Sequence, residues 1–392
     1  MKVIGADACC DKLVLCCLES PPVNPREEFL DMEFIEVSTD TIGLQKLLKL
    51  KPDVMILEPT GMHYIKFWLH HLNKNDIEVR LVHNSRLPQH RAEILDIPDK
   101  DDEADAYSLA IYYWMYQDNP KRWVSLRDPV VQEMRELVLK LGHNARIETA
   151  IINRLHQVLR HEFPEMADAT TDAPLFWGWA GGIRKSKRYD LMLEASKGLG
   201  VSEATRFDAM TLSHYLTEDK RLERELQKLY LGDERFEPYR SVFKNFGFGL
   251  DCASKILSQI FPIEDYLGPD RKPIVKISRG RYSKKPTKKY ISLRRFKKAL
   301  GDAPVREWSG KKRKSAKAGS QLCRTALFLW FRSRIEFSRS NSALKSDRGK
   351  RYRLEFQAEV KKKRPRNKVR TEIRHKVVKE LFYELVNAIT QL

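Results

Sequence analysis

Short apolar runs alternate with stretches of helical periodicity over the first 115 residues. Runs bounded by polar or turn-forming residues predict strands, and apolar residues recurring every three or four positions predict helices. The predicted strands cover 2–7, 12–19, 34–38, 53–57 and 79–83, and the predicted helices cover 41–50, 65–72 and 101–114. This order combines a meander with crossover connections, so we expect an α/β domain with one mixed sheet flanked by helices.

Long amphipathic segments dominate the middle of the chain. Apolar residues recur at helical spacing over 130–163 and again over 212–231, and a stretch containing Pro and Gly, 172–182, separates the two. We predict two long helices that form an antiparallel, coiled-coil-like hairpin used for dimerisation. A helical bundle with no role in assembly fits the periodicity equally well.

The net charge of +19 arises from the last third of the chain. Residues 271–392 hold 38 Lys and Arg against 9 Asp and Glu, whereas residues 1–270 hold 34 against 44. The basic part is interleaved with Tyr, Phe and Trp, which favours a nucleic-acid partner over a solvated basic face or a disordered tail. We expect three domains: an α/β domain over 1–125, a helical segment over 126–240 and a basic, mostly α-helical domain over 241–392.

Composition narrows the class of protein further. At 392 residues and 42% hydrophobic content the chain can bury sizeable cores. It has no apolar run of about 18 residues and no signal-peptide layout, so we expect no membrane span and a cytoplasmic location. The six cysteines include two adjacent pairs, 9–10 and 16–17, which we interpret as small apolar strand residues rather than zinc ligands.

Four carboxylates stand where a metal site could form. Asp7 ends the first predicted strand, Glu58 follows the fourth, and Asp102 and Asp105 lie three residues apart at the start of a helix. Ligands gather at the carboxyl ends of strands in open α/β sheets, and a spacing of three places two side chains on one helix face. Such oxygen ligands suit Mg²⁺ or Mn²⁺, which can serve phosphodiester exchange. Singly, each acid is also explained as a helix cap or a turn residue.

Four motifs in the same region resemble a known family. GADACCDKLVL, ILEPTGMHY, VRLVHN and DKDDEADAYSLA resemble, in this order, the RuvC-like domain of the DEDD insertion-sequence transposases, the bridge-RNA-guided recombinases. That family has an acid in an IG-D strand, a Glu in E-x-T-G and two Asp in K-x-D-x-x-D-A-x-x-L-A. The matching residues here are Asp7, Glu58, Thr60, Gly61, Lys100, Asp102, Asp105, Ala106, Leu109 and Ala110. The resemblance implies an RNase H/RuvC-like fold whose four acids hold catalytic magnesium.

A second block, FKKALGDAPVREWSGKKRKSAKAGSQLCRTALF, resembles the family's C-terminal transposase domain. The matching residues are Phe296, Gly301, Pro304, Ser309, Gly310, Lys317, Gly319, Leu322, Arg324 and Leu327. The resemblance implies that Ser309 is the nucleophile, because the family's serine belongs to this Ser-Gly pair. A serine hydroxyl needs activation, and the basic residues after it would stabilise its alkoxide. A turn serine in a basic loop is the alternative, and Ser315 is the second candidate nucleophile.

Further segments predict contacts with nucleic acid. FKNFGFGLDCASKIL resembles part of a helix-hairpin-helix element, in which Gly247 and Gly249 allow a tight turn before a helix N-terminus. Phe246 stands where the family usually has Pro. Residues 269–292 are interpreted as an inserted basic arm. The predicted nucleic-acid-binding residues are Gly247, Gly249, Lys311, Lys312, Arg313, Lys314, Lys317 and Arg324.

The predicted function is that of a DNA transposase and recombinase of an insertion sequence. It would cleave and exchange strands with Mg²⁺ through a covalent serine–DNA intermediate. The resemblance implies double-stranded DNA and a structured guide RNA as partners, a homodimer or homotetramer, and a prokaryotic cell. Two alternatives stay open: a hydrolytic nuclease or junction resolvase, and a non-catalytic nucleic-acid-binding protein.

Overall fold

The computed structural model describes residues 1–9, 11–59, 63–124, 127–169, 173–279, 286–309, 312–337 and 346–390, with only the backbone of 63, 305–309 and 312–317. The chain divides into two units, Met1–Leu126 and Arg127–Leu392. None of the helices in these ranges combines the length and the apolar character that crossing a bilayer requires.

A mixed sheet forms the N-terminal unit, as the sequence pattern predicts, and it has six strands where the pattern predicts five. The strands are β1 (Val3–Ala8), β2 (Lys12–Leu18), β3 (Ile35–Ser38), β4 (Val54–Leu57), β5 (Glu78–Val82) and β6 (Trp123–Val124). Their order is β3-β2-β1-β4-β5-β6. β1 pairs antiparallel with β2 and parallel with β4, so that the meander and the crossover part of the sheet meet at β1.

Helices cover both faces of this sheet. They are α1 (Pro25–Leu30), α2 (Thr41–Lys49), α3 (His63–Lys74), α4 (Leu87–Leu95) and α5 (Asp102–Tyr116). Successive strand residues point to opposite faces, so Ile4 packs in one buried cluster with Trp68 of α3, whereas Val3 packs in another with Leu109 of α5. Each such fully buried side chain contributes roughly 1.5–3 kcal/mol to folding.

Gly5 allows α5 to lie directly against β1. A Cβ atom at Gly5 would stand 2.1 Å from the carbonyl oxygen of Ala106 and 2.4 Å from the amide nitrogen of Ala110. No side chain fits in that space, so the glycine sets the separation of helix and strand. The first turn of α5 therefore lies beside the carboxyl end of β1, where Asp7 stands.

The C-terminal unit is mostly helical. Its helices are α6 (Pro129–Glu162), α7 (Pro174–Ala180), α8 (Lys187–Ala195), α9 (Glu203–Gly232), α10 (Glu237–Phe246), α11 (Leu250–Ile260), α12 (Ile291–Ala299), α13 (Gln321–Trp330), α14 (Asp347–Lys361) and α15 (Arg366–Thr390). Its strands are β7 (Val275–Arg279), β8 (Pro286–Tyr290), β9 (Pro304–Ser309) and β10 (Lys312–Lys317). They form two separate antiparallel hairpins, β7–β8 and β9–β10.

The two longest helices, α6 and α9, pack side by side and run antiparallel. Lys140 Nζ donates to Glu218 Oε1 at 2.9 Å, and farther along the pair Arg154 contacts Asp208. Where α6 begins and α9 ends, the buried residues join one cluster with α10, α11, α13 and α15. The boundary predicted at residue 240 thus falls inside a core that both predicted segments share.

Candidate functional site

The carboxyl ends of β1 and β4 bring two of the predicted acids to one edge of the sheet. The parallel register pairs Ala6 with Leu57. Asp7 and Glu58 each follow directly after this pair, so they lie next to each other at the same edge of the sheet. Asp7 is buried, at 3% exposure, and Glu58 is half-buried. Thr60 and Gly61, which complete the Glu58 motif, lie outside the described residues.

Asp7, Cys9 and Asp102 form a compact group at this edge. One ligand atom from each lies within 4.8 Å of the other two, a distance range that suits a bound metal ion. Cys9 Sγ donates a hydrogen bond to Asp102 Oδ2 at 3.1 Å. Asp7 and Cys9 are two residues apart, which places both on the side of β1 that α5 covers.

Burial dominates the electrostatics of this group. It raises the pKa of Asp7 to about 7; the Lys100 ammonium opposes that rise, and the negative charges of Asp105 and Asp102 add to it. Burial and the neighbouring carboxylates also raise the pKa of the Cys9 thiol to about 11. The hydrogen bond from Cys9 lowers the pKa of Asp102. The two carboxylates of one site therefore differ strongly in acidity.

At the start of α5, one aspartate caps the helix and the next one faces the candidate metal group. Asp101 is the N-cap, and its Oδ1 accepts a hydrogen bond from the amide of Ala104 at 2.6 Å. Asp102 is thereby free of the capping role and turns toward Asp7. Lys100 Nζ stands 3.2 Å from Asp102 Oδ1 and 3.9 Å from Asp7 Oδ2, so a cation of the chain itself faces both acids.

Asp105 forms a buried ion pair with Arg91 of α4. Both side chains are less than 5% exposed. Arg91 also donates to the carbonyl oxygens of Ile97 and Pro98 at 3.2 and 3.1 Å. Burial raises the pKa of Asp105, and Arg91 counteracts that rise. The fourth predicted acid is thus engaged in holding α4 on α5, while its charge still acts on Asp7.

The donor set fits a divalent cation. Asp7 Oδ2 is buried and accepts no hydrogen bond, although buried polar atoms are normally paired. Two carboxylates and a thiol are ligands that divalent metals take in proteins. Cys9 belongs to this group, although the sequence pattern indicates only a small apolar strand residue. The spacing Asp-x-Cys at the carboxyl end of β1 is the signal that points to it.

Ser309 is the last residue of β9. In the β9–β10 hairpin it pairs with Lys312, and Pro304 pairs with Lys317 at the other end. The side chains of Ser309, Lys312, Arg313, Lys314, Ser315 and Lys317 are not among those described, and Gly310 and Lys311 lie outside the described residues altogether. The backbone nevertheless places the predicted nucleophile at one end of a hairpin whose second strand, KRKSAK, is basic.

Two glycine contacts hold the base of this hairpin. Gly319 follows β10 with a φ of +76°, and a Cβ there would stand 1.6 Å from the carbonyl oxygen of Lys298 in α12. Gly301 precedes β9 with a φ of +72°, and a Cβ there would stand 2.4 Å from the carbonyl oxygen of Ser320. Arg324 Nη1 donates to the carbonyl oxygens of Gly301 and Ala318 at 3.3 and 3.4 Å.

The glycine pair before α11 has a simpler local role. α10 and α11 are joined by residues 247–249, and Gly247 ends α10 in the left-handed conformation with a φ of 67°. Gly249 is the N-cap of α11 at a φ of −75°, which any residue can adopt. Only Gly247 thus requires the conformational freedom that the sequence suggests for both.

A basic cavity of about 460 Å³ opens beside the base of the β9–β10 hairpin. Arg324, Arg370, Arg374 and His375 are among its lining residues. Arg374 Nε donates to the buried Asp302 Oδ1 at 2.8 Å, and Arg370 forms a two-pronged ion pair with Glu336. Arg324 bonds instead to backbone carbonyls. Among these lining residues, the sequence predicts only Arg324 as a nucleic-acid contact.

Comparison with known proteins adds no relative: no protein-family model matches this chain, and no curated protein matches it.

Proposed function

We propose that this protein is a DNA transposase and recombinase of the DEDD insertion-sequence type, with an RNase H/RuvC-like N-terminal unit. One observation carries the proposal. Asp7 and Asp102 meet at the carboxyl edge of a mixed sheet, and a buried oxygen of Asp7 has no hydrogen-bond partner. Active sites of open α/β sheets lie at this edge, and perturbed carboxylates mark them.

The residues at the sheet edge would hold a divalent cation at the scissile phosphate, and in the family that the sequence resembles this cation is Mg²⁺ or Mn²⁺. Asp7 and Asp102 would hold the cation, with Glu58 at the same edge of the sheet, and the bound cation would supply positive charge to the phosphate and its leaving oxygen. Asp105 stays in its ion pair with Arg91, and this pair fixes the first turn of α5. Lys100 balances the acids while they hold no cation.

Ser309 supplies the nucleophile. Its Oγ attacks the phosphorus, an Oγ–P bond forms, and the bond from phosphorus to one deoxyribose oxygen breaks. The serine proton passes to solvent, and the leaving oxygen takes one up. A hydroxyl of a second strand then displaces Ser309, so the number of phosphodiester bonds is conserved and no energy source is required.

Nucleic-acid binding belongs to the C-terminal unit. The β7–β8 hairpin lies within the predicted basic arm, and the described residues of β8 are all exposed. Lysines on such an arm contact phosphates without reading sequence. A structured guide RNA would supply base-pair specificity, and a homodimer or homotetramer in a prokaryotic cytoplasm completes the proposal.

A covalent adduct tests the serine mechanism. The 392-residue chain, labelled element-end DNA and the RNA of the same element are incubated with Mg²⁺, Mn²⁺ or Zn²⁺ in parallel reactions and separated by denaturing electrophoresis. We expect a labelled band that migrates with the protein, that is lost in Ser309→Ala and that persists in the matched variant Ser315→Ala. A parent chain that never forms the band contradicts the proposal.

The same experiment separates the alternatives. A Ser309→Ala chain that still cuts DNA in a metal-dependent manner is a hydrolytic nuclease, in which water is the nucleophile. A chain with Asp7→Asn and Glu58→Gln that keeps its full function is a non-catalytic nucleic-acid-binding protein. The recombinase loses strand exchange in both variants.

A further inference from the structure

Cys9 gives the candidate metal centre a ligand of a different chemical class from its two carboxylates. Its Sγ atom lies 3.1 Å from Asp102 Oδ2, and all three ligand atoms of the group lie within 4.8 Å of one another. The amide of Cys9 donates to the carbonyl oxygen of Lys12 at 2.9 Å, which fixes the residue at the turn between β1 and β2. The thiol is thus held at the site by the backbone.

Asp7 provides the independent sign that a ligand belongs here. Its side chain is 97% buried, since its exposure is 3%, and its Oδ2 atom accepts no hydrogen bond. The Lys100 ammonium, 3.9 Å away, is too distant for a hydrogen bond. A buried carboxylate oxygen left in this state is costly, and a cation between the three side chains would satisfy it.

We infer that Cys9 is a metal ligand and that the site prefers a thiophilic divalent cation, of the Zn²⁺, Co²⁺ or Cd²⁺ class, over Mg²⁺. Magnesium takes oxygen ligands, whereas a thiolate selects softer metals. On binding, the S–H bond breaks, its proton leaves to solvent and the sulfur–metal bond forms. The inference rests on the proposed function for the metal's role, and it differs from the resembled family in two respects: it adds Cys9 as a ligand, and it replaces Mg²⁺ or Mn²⁺ with a thiophilic cation.

The ligand count suits a reacting centre rather than a structural one. Asp7, Cys9 and Asp102 supply three ligands, and a metal with three protein ligands keeps a further position for water or a phosphate oxygen. Structural zinc sites, in contrast, are closed by four protein ligands. Lys100, whose side chain is 68% exposed, stands at the open side of the group and can withdraw to solvent.

Cadmium is the probe, because a thiolate–Cd²⁺ bond has an ultraviolet charge-transfer band. The full-length, metal-free chain is titrated with Cd²⁺ with Mg²⁺ present in excess. We expect one equivalent to produce the band in the parent chain and in the control Cys17→Ser, which changes a cysteine on β2. In Cys9→Ser the band should vanish and Cd²⁺ affinity should fall about tenfold or more.

Asp102→Asn guards against a folding artefact, because it leaves every thiol in place. We expect it to keep the far-ultraviolet circular dichroism of the parent and to bind Cd²⁺ about tenfold or more weakly. A band that survives in Cys9→Ser, or that excess Mg²⁺ abolishes in the parent, overturns the inference.

The outcome is separable from that of the serine mechanism. Ser309→Ala should bind Cd²⁺ as the parent does. A chain that shows the Cys9-dependent band without forming a DNA adduct fails as a serine recombinase and keeps the thiolate site. A chain that forms the adduct, yet whose band is unaffected by Cys9→Ser, keeps the proposed function and loses the inference.

Discussion

Two buried carboxylates, Asp7 and Asp105, affect the stability of the N-terminal unit in opposite directions. Asp7 is buried beside two further acids, whereas Asp105 is buried against Arg91. A buried charge without a hydrogen-bonded partner destabilises the folded state, and a paired one resists removal of either partner. Substitutions at the two positions should therefore act with opposite sign.

Asp7→Asn is expected to raise the thermal midpoint of the metal-free chain more at pH 8 than at pH 5. The pKa of Asp7 is about 7 when folded and 3.8 as its ordinary value, so stability is lost as pH rises through about 7. The amide removes that charge, a gain on the order of 1–4 kcal/mol at pH 8. Calorimetry at both pH values measures it, and a lower midpoint at pH 8 contradicts it.

Arg91→Met is expected to cost about 3–5 kcal/mol, because it leaves Asp105 buried without its counter-ion. Chemical denaturation followed by circular dichroism measures the loss. Arg26→Met is the matched control, since Arg26 pairs with Asp96 at 3.8 Å with both side chains exposed. That surface pair should contribute at most about 1 kcal/mol. Equal effects of the two variants would refute a structural role for the Arg91 pair.

At the scale of elements, the α6–α9 pair carries a pH-sensitive contact. Glu148 of α6 is buried, and its Oε1 atom has no hydrogen-bond partner. Burial, together with the carboxylates of Asp219 and Glu223 on α9, raises the pKa of Glu148 to about 7. The protonated form is therefore the one that the packed helices accommodate.

Glu148→Gln is expected to stabilise the chain at pH 8 and to change little at pH 5. The raised pKa means that stability is lost as pH rises from about 4.5 through about 7, and the amide removes this dependence. Thermal unfolding across this range measures the difference between variant and parent. Glu218→Gln is the control: the pKa of Glu218 is lowered to about 2, so its contribution is lost only at lower pH.

Gly319→Ala is expected to destabilise the C-terminal unit by about 3 kcal/mol or more. A Cβ at this positive φ would overlap the Lys298 carbonyl oxygen, and the backbone of α12 cannot shift as a flexible side chain can. Gly249→Ala is the matched control, because a Cβ there meets no atom within 4 Å. Urea unfolding of both variants measures the difference in their free energies of unfolding. If Gly319→Ala does not lower this free energy, the residue after β10 is not packed against α12.

Short apolar runs bounded by polar or turn-forming residues predict the central strands of the sheet well. The strands that end near Asp7 and Glu58 are such runs and are buried almost throughout, and the helix that begins near Asp102 is a longer, largely apolar segment. α4 escapes prediction because its apolar residues do not follow one stripe, and the β7–β8 and β9–β10 hairpins escape it because their strands are short and rich in Lys and Arg. The contact of Cys9 with Asp102 joins residues 93 positions apart and depends on the fit of α5 against Gly5. No local pattern reports such a contact.

At the scale of the whole molecule, charge and buried cores divide along the chain. Each buried cluster of described residues draws its members from a single unit. The acidic excess lies in 1–270, and the basic excess lies in 271–392. A chain built in this way keeps its candidate acids apart in sequence from its predicted phosphate-binding residues.

DNA affinity is expected to fall steeply with salt. If 271–392 makes six to ten phosphate contacts, the affinity should drop about 10³- to 10⁵-fold between 50 and 200 mM salt. Fluorescence anisotropy with duplex DNA measures the slope. Joint replacement Lys288→Gln and Lys289→Gln on the exposed β8 should reduce the slope by about two, whereas Lys49→Gln on α2 should not. A slope unaffected by the β8 change would exclude that hairpin from the interface.

The length of the β9–β10 hairpin fixes how far Ser309, at its end, stands from its base. Its base is fastened by the Gly301 and Gly319 contacts, and five residue steps separate Pro304 from Ser309 on one strand. At about 3.3 Å per residue, the serine backbone stands roughly 17 Å from that fastening. Shortening both strands by two residues withdraws it by about 7 Å. Under the proposed function, the reach of Ser309 toward DNA is therefore set by strand length, a quantity that insertions or deletions in β9 and β10 would alter.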